Sequence, residues 1–287
     1  MQAVRRIVFL CSLAALGSSL LFSQAKAPEF QSTPPSTTTT SGSFLTTLER
    51  RTVIQQARRS YYNLKSEGLL EFHFQVVPDW DSMYKQLPVD AVGREELLLI
   101  LKNVRFLVIV GPNGASTISH QSDVAPPSEN VANRVRTSIS GMEQMITGVL
   151  QTWSTFSYAI PFPEADSDYQ IEDLGTKYRL TSKEGPVDIR ISMTRDFAIE
   201  ELGVGSSEFS GNIHPKLAPT KGGLIMTSYD AMYKSGSGAP AQVSATIQNS
   251  EVDGILLPES LSMTTTLPTG RVLTVQATLT DRKLKKR

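Results

Sequence analysis

VSATIQNSEVDGILLPESLSM, residues 243–263, holds a strand, a turn and a second strand in one passage. Val243, Ala245 and Ile247 alternate with polar neighbours at the two-residue period of a half-buried strand. Asp253-Gly254 supplies a pair that tolerates positive φ in a hairpin turn. Pro258 has no N–H to give a ladder, so it belongs at a strand start or a sheet edge. Leu261, Met263 and Thr265 resume the alternation.

The same pattern spreads outward from this hairpin. Leu273, Val275, Ala277 and Leu279 alternate after it. Before it, Val187, Ile189, Ile191 and Met193 alternate with Asp188, Arg190, Ser192 and Thr194. From Tyr169 onward, turn signals fall at Gly175, Glu184-Gly185-Pro186, Gly203 to Ser207, Gly236 to Pro240 and Pro268-Thr269-Gly270. Successive strands with short connections predict an antiparallel meander. One face of each strand is apolar and the other polar, so one side of the sheet is covered.

The half before residue 160 is mostly helical. A helix is predicted over about 46–66, with Thr46 and Glu49 at capping-box spacing. Its apolar stripe is Leu45, Leu48, Val53, Ala57, Tyr61 and Leu64, and Arg50, Arg51, Arg58 and Arg59 lie off it. That basic face suits solvent, or the headgroups of a membrane. Leu70, Phe72, Phe74 and Val76 mark a half-buried strand. A short helix over 94–102 and a strand over 104–110 follow. The turn Gly111-Pro112-Asn113-Gly114 returns the chain through 115–120. Ser128 caps a second long helix to 154, with Val131, Val135, Ile139, Met142, Ile146, Val149 and Trp153 on one face. No strand–helix–strand alternation occurs. The fold class is therefore α+β: a curved antiparallel sheet, a half-barrel, cupping two or three helices.

Residues 1–25 read as a secretory signal. Arg5-Arg6 precede an apolar run over 7–22, and Ser23-Gln24-Ala25 gives small residues for cleavage. Cys11 follows Phe9-Leu10 rather than a small residue, so a lipoprotein-type signal is not expected. The exported chain then has no cysteine, hence no disulfide. The expected location is periplasmic or extracellular. Residues 26–43, rich in Ser, Thr and Pro, read as a disordered linker with little to bury. A single domain over 44–281 would follow. The basic tail 282–287 reads as a frayed soluble end, or as a contact for anionic headgroups or an acidic partner.

The chain carries 28 basic and 28 acidic residues, so no global field draws nucleic acid. Its three histidines, His73, His120 and His214, lie 40 or more residues apart and give no zinc spacing. Glu164, Asp166, Asp168, Glu172 and Asp173 lack a calcium-loop register and read as a polar connector. The glycines at 111–114 precede no phosphate-loop lysine, and Gly203 to Ser207 is no nucleophile elbow. No catalytic set, metal or cofactor is expected, although paired carboxylates of a hydrolase need only meet in space.

Asp253-Gly254-Ile255-Leu256-Leu257-Pro258 matches a "D-G-x-x-L-P" turn that precedes a late strand in the periplasmic lipoprotein carriers of the LolA/LolB type. Residues from about Tyr169 to Leu279 resemble that superfamily. The half before them departs from its pattern, with one strand, a helix, a hairpin and a long helix where the family shows several strands. The resemblance implies a curved sheet with an apolar cavity for lipid or lipoprotein acyl chains. The cavity candidates are Met142, Ile146 and Trp153 on the second helix, with Ile189, Ile191, Met193, Val275 and Ala277 on the sheet. A monomeric carrier is the first expectation. An envelope module that binds a protein partner, with peripheral membrane contact, and a carboxylate hydrolase are the alternatives.

Overall fold

A computed structural model describes residues 42–86, 94–236, 240–266, 270 and 272–287. The signal and nearly all of the linker lie outside the described residues, as do parts of the turns at 236–240 and 268–270. In the quoted hairpin, β11 (Ala241–Val252) and β12 (Ile255–Thr266) are antiparallel, with Val252 opposite Ile255. Asp253 at φ 50° and Gly254 at φ 80° both take left-handed backbone, as a type I′ turn requires. Pro258, expected at a strand start or edge, lies inside β12 opposite Asn249. A register shift beside that pair forms a bulge that accommodates its missing N–H.

The meander runs from β5 (Tyr169–Asp173) through β6 (Lys177–Glu184), β7 (Val187–Thr194), β8 (Ile199–Gly205), β9 (Phe209–Thr220), β10 (Gly223–Ser235), β11 and β12 to β13 (Val272–Lys286). β8 continues to Gly205, so the turn expected from Gly203 begins only at Ser206. The strands of the first half extend the same sheet. β2 (Leu69–Pro78) pairs with β13 and carries β3 (Arg105–Val110) and β4 (Ser116–Gln121), while β1 (Ser43–Phe44) pairs with β5. The result is one 13-stranded antiparallel sheet that does not close into a barrel. It curves around the helices, and one apolar core joins both halves.

Helix α1 (Thr47–Arg59) starts at the capping box: Glu49 N–H donates to Thr46 Oγ1, and Thr46 N–H donates to Glu49 Oε2. It stops seven residues short of the expected end because β10 takes over the backbone. Tyr62 N–H donates to Leu224 O, and Leu224 N–H donates to Ser60 O. The close approach requires Gly223 at φ 121°, where a Cβ would lie 2.7 Å from the Tyr61 carbonyl carbon. Leu48, assigned to the apolar stripe, is 76 % exposed, and Ile54 is buried instead.

The arginine face of α1 is largely engaged by the acidic connector. Arg51 pairs with Asp166 at 2.9 Å and Arg58 with Glu164 at 2.9 Å. Arg50 donates to Tyr169 O and lies over the Tyr169 ring. Such surface pairs contribute little stability, roughly 0–1 kcal/mol each. Their role here is to dock α1 on the 162–169 segment.

Asp79 caps α2 (Trp80–Lys85), a helix too short to show periodicity in the sequence. Helices α3 (Arg94–Lys102) and α4 (Glu129–Ser154) occupy the expected spans, and every residue of the expected α4 stripe is buried. The reading of 282–287 as a frayed tail is corrected. A bulge after Thr280 lets β13 continue, pairing Leu284 with Phe72 and Lys286 with Leu69. Arg282 donates to Ser250 Oγ at 2.7 Å, and Lys285 pairs with Glu71 at 3.5 Å. Local charge read as solvation; cross-strand partners unseen in the sequence hold it in the ladder.

Candidate functional site

The eight cavity candidates all lie in the core, between 0 % and 9 % exposed. They do not lie side by side along the sheet. Ile189, Ile191 and Met193 sit on β7, and Val275 and Ala277 on β13, with β8 to β12 between. At about 4.8 Å per strand, that is roughly 29 Å measured along the sheet. Met142, Ile146 and Trp153 follow one face of α4.

The C-terminal end of α4 is the point where the elements converge, and it contacts β10, a strand the hydrophobic pattern did not single out. There the helix widens into a π-turn, Thr155–Ala159. Thr152 Oγ1 donates to Gly148 O and also hydrogen-bonds the Tyr229 hydroxyl of β10. Leu64 N–H donates to Ser157 O and ties the π-turn to the loop after α1. Ile160 then adopts φ 55°, a strained conformation for a β-branched residue that also precedes a proline. Strain of this kind costs about 1–3 kcal/mol and persists only where packing enforces it. Ile160, at 7 % exposure, is so held.

Polar atoms gather at this end. Trp153 Nε1, Ser154 Oγ and Tyr158 OH are buried without a hydrogen-bond partner among the described residues, as is Gln151 Oε1. Trp153 and Tyr158 meet edge-on, with ring centroids 5.8 Å apart. Burial pushes the Tyr158 phenol up, and pushes Tyr229 up to about 12 despite its bond to Thr152. Both phenols are neutral at physiological pH, so they act as hydrogen-bond groups. No Asp, Glu, Lys or Arg is among the buried residues described. The interior can therefore take apolar matter and neutral acceptors, and it would penalise an ion heavily. Trp153 is legible in the sequence as an apolar residue, whereas Ser154, Tyr158 and Tyr229 were missed. The available signal was the alternation of hydroxyl and aromatic residues in Thr152-Trp153-Ser154-Thr155-Phe156-Ser157-Tyr158.

Elsewhere the chemistry is dispersed. His73 neighbours Glu71, His120 neighbours Glu143 and His214 approaches Glu200 O, at three separate places. Among the described residues, no group of three His, Cys, Asp or Glu could hold a metal. A cleft of about 330 Å³ lies over β11 to β13, and the candidate Ala277 is among the residues that line it. Gln248, Ser260, Ser262, Gln276 and Thr278 line it with Asp79, whose carboxylate already binds Ser82. No described helix is long and apolar enough to cross a membrane. No protein-family profile, curated protein or solved structure matches the chain.

Proposed function

We propose that this protein is an exported, monomeric carrier for an apolar ligand, the acyl chains of a lipid or lipoprotein, held between the inner face of the sheet and helix α4. The observation that supports it is the continuous apolar inner face of a sheet that does not close, covered by helices rather than by a second sheet. Each CH₂ taken from water into such an interior gains about 0.8 kcal/mol, so a modest pocket binds a chain without charged specificity groups. Displacement of a fluorescent apolar dye by fatty acid or lipopeptide tests the reading. Saturable displacement supports it, and an absence of dye uptake or displacement opposes it.

One observation favours a second reading, an envelope module that binds a protein. Strand β4 is an edge with mostly exposed side chains, and its outer backbone groups can accept an added strand. Recovery of one stoichiometric protein partner without co-purifying lipid would favour it.

A further inference from the structure

The end of α4 carries buried polar atoms that no described residue pairs with. Buried polar groups in folded proteins are nearly always satisfied, so four orphans within eight residues, Gln151 Oε1 included, ask for a partner from outside the described residues. The backbone marks the same place, because π-turns are uncommon and concentrate at functional sites, and the strained Ile160 follows directly. The side-chain chemistry limits what the partner is. Trp153 Nε1 only donates, the Ser154 and Tyr158 hydroxyls donate or accept, and Gln151 Oε1 only accepts, so three of the four can donate. Among the described residues, no buried cation stands by to neutralise a carboxylate or phosphate. The missing group is therefore neutral and chiefly an acceptor. On an acyl chain, an ester or amide carbonyl meets both conditions, a free carboxylate fails the first, and a bare alkane fails the second.

We propose that Trp153, Ser154 and Tyr158 form a polar anchor that holds the neutral carbonyl of an ester- or amide-linked acyl chain, so that the protein selects acyl esters and amides over free fatty acids. This rests on the carrier reading above. The Trp153–Tyr158 contact places indole and phenol in one packed cluster, and Ser154 adjoins it on the helix. The chain beyond the carbonyl would run along Val149 and Ile146 on the same helix face.

The two tryptophans of the chain are Trp80 and Trp153, so a Trp80→Phe background makes Trp153 the reporter. Methyl laurate, laurate and dodecane are titrated against that protein at neutral pH, alone and with Tyr158→Phe or Ser154→Ala added. Methyl laurate is expected to shift Trp153 emission and to bind about tenfold more tightly than laurate. One lost hydrogen bond weakens binding by roughly threefold to tenfold, so Tyr158→Phe should weaken methyl laurate by that factor and leave dodecane unchanged. Because the phenol is an orphan without ligand, Tyr158→Phe should not lower the melting temperature of the ligand-free protein. Should Tyr158→Phe fail to fold, Ser154→Ala gives the same readout. Equal binding of all three probes, unaltered by either substitution, overturns the anchor and leaves the carrier reading standing. A lowered melting temperature with unchanged ester affinity assigns the site to an internal water and also overturns the anchor. Binding of none of the probes removes the carrier reading and the anchor together.

Discussion

Replacing Tyr61 with phenylalanine isolates a single oxygen whose loss the structure makes costly. The Tyr61 hydroxyl donates to Phe197 O at 3.0 Å and accepts from Ile199 N–H at 2.9 Å. It thereby joins the end of α1 to the β7–β8 turn, where Phe197 is held at φ 64°. Tyr61 is 3 % exposed and Ile199 2 %, so water does not take the place of the oxygen. The ring would remain, including its edge contact with Phe162 at 5.5 Å, and little cavity is created. Two neutral hydrogen bonds at about 1 kcal/mol each, with one buried N–H left unpaired, give a loss of about 2–3 kcal/mol. For a domain of this size, that lowers the melting temperature by about 5–10 °C. Urea and thermal unfolding followed by circular dichroism measure it. A loss below about 0.5 kcal/mol would refute the reasoning, because it would mean the Ile199 amide finds another partner. Tyr158→Phe, equally buried but without a partner among the described residues, is the internal contrast: the same atom removed, with no loss expected.

Gly223→Ala would drive a Cβ into the Ser60–Tyr62 backbone at a residue already at φ 121°. It should cost at least about 2 kcal/mol by urea unfolding, and a neutral result would contradict the α1–β10 bridge. Deleting Arg282 to Arg287 removes four register pairs of β13 with β2 and the bond from Arg287 N–H to Gly68 O. A loss of about 2–4 kcal/mol is expected, whereas an unchanged melting temperature would restore the frayed tail. Burial raises the Tyr229 phenol to about 12, above its unfolded value of about 10, so its contribution is intact below pH ~10 and is lost as pH climbs toward 12. Alkaline unfolding curves of the wild type and Tyr229→Phe should diverge only in that window, and parallel curves would show that the phenol is solvated.

The pattern of residues revealed the sheet and its helices where local chemistry decides the matter. Alternation located β7 and β11 to β13, the capping box began α1, and Ser128 began α4, because each signal lies within a few residues. Long-range contacts were not legible. The end of α1 depends on Leu224, more than 160 residues away, and the tail depends on β2 at the other end of the chain. For the site, the apolar half was visible as periodicity. The polar half was not, because Ser154 and Tyr158 look like any helix end until burial shows that they lack partners. Alternation gives the face of a strand and not its place in the sheet, so the five strands between the β7 and β13 candidates were not legible.

Native mass spectrometry with lipid extraction, on protein purified from the cells that produce it, decides whether it carries acyl lipid. The account predicts co-purified acyl lipid or lipopeptide, in about one-to-one ratio, with its chains in ester or amide linkage. A clean ligand-free mass, unchanged when such lipids are added, would contradict it.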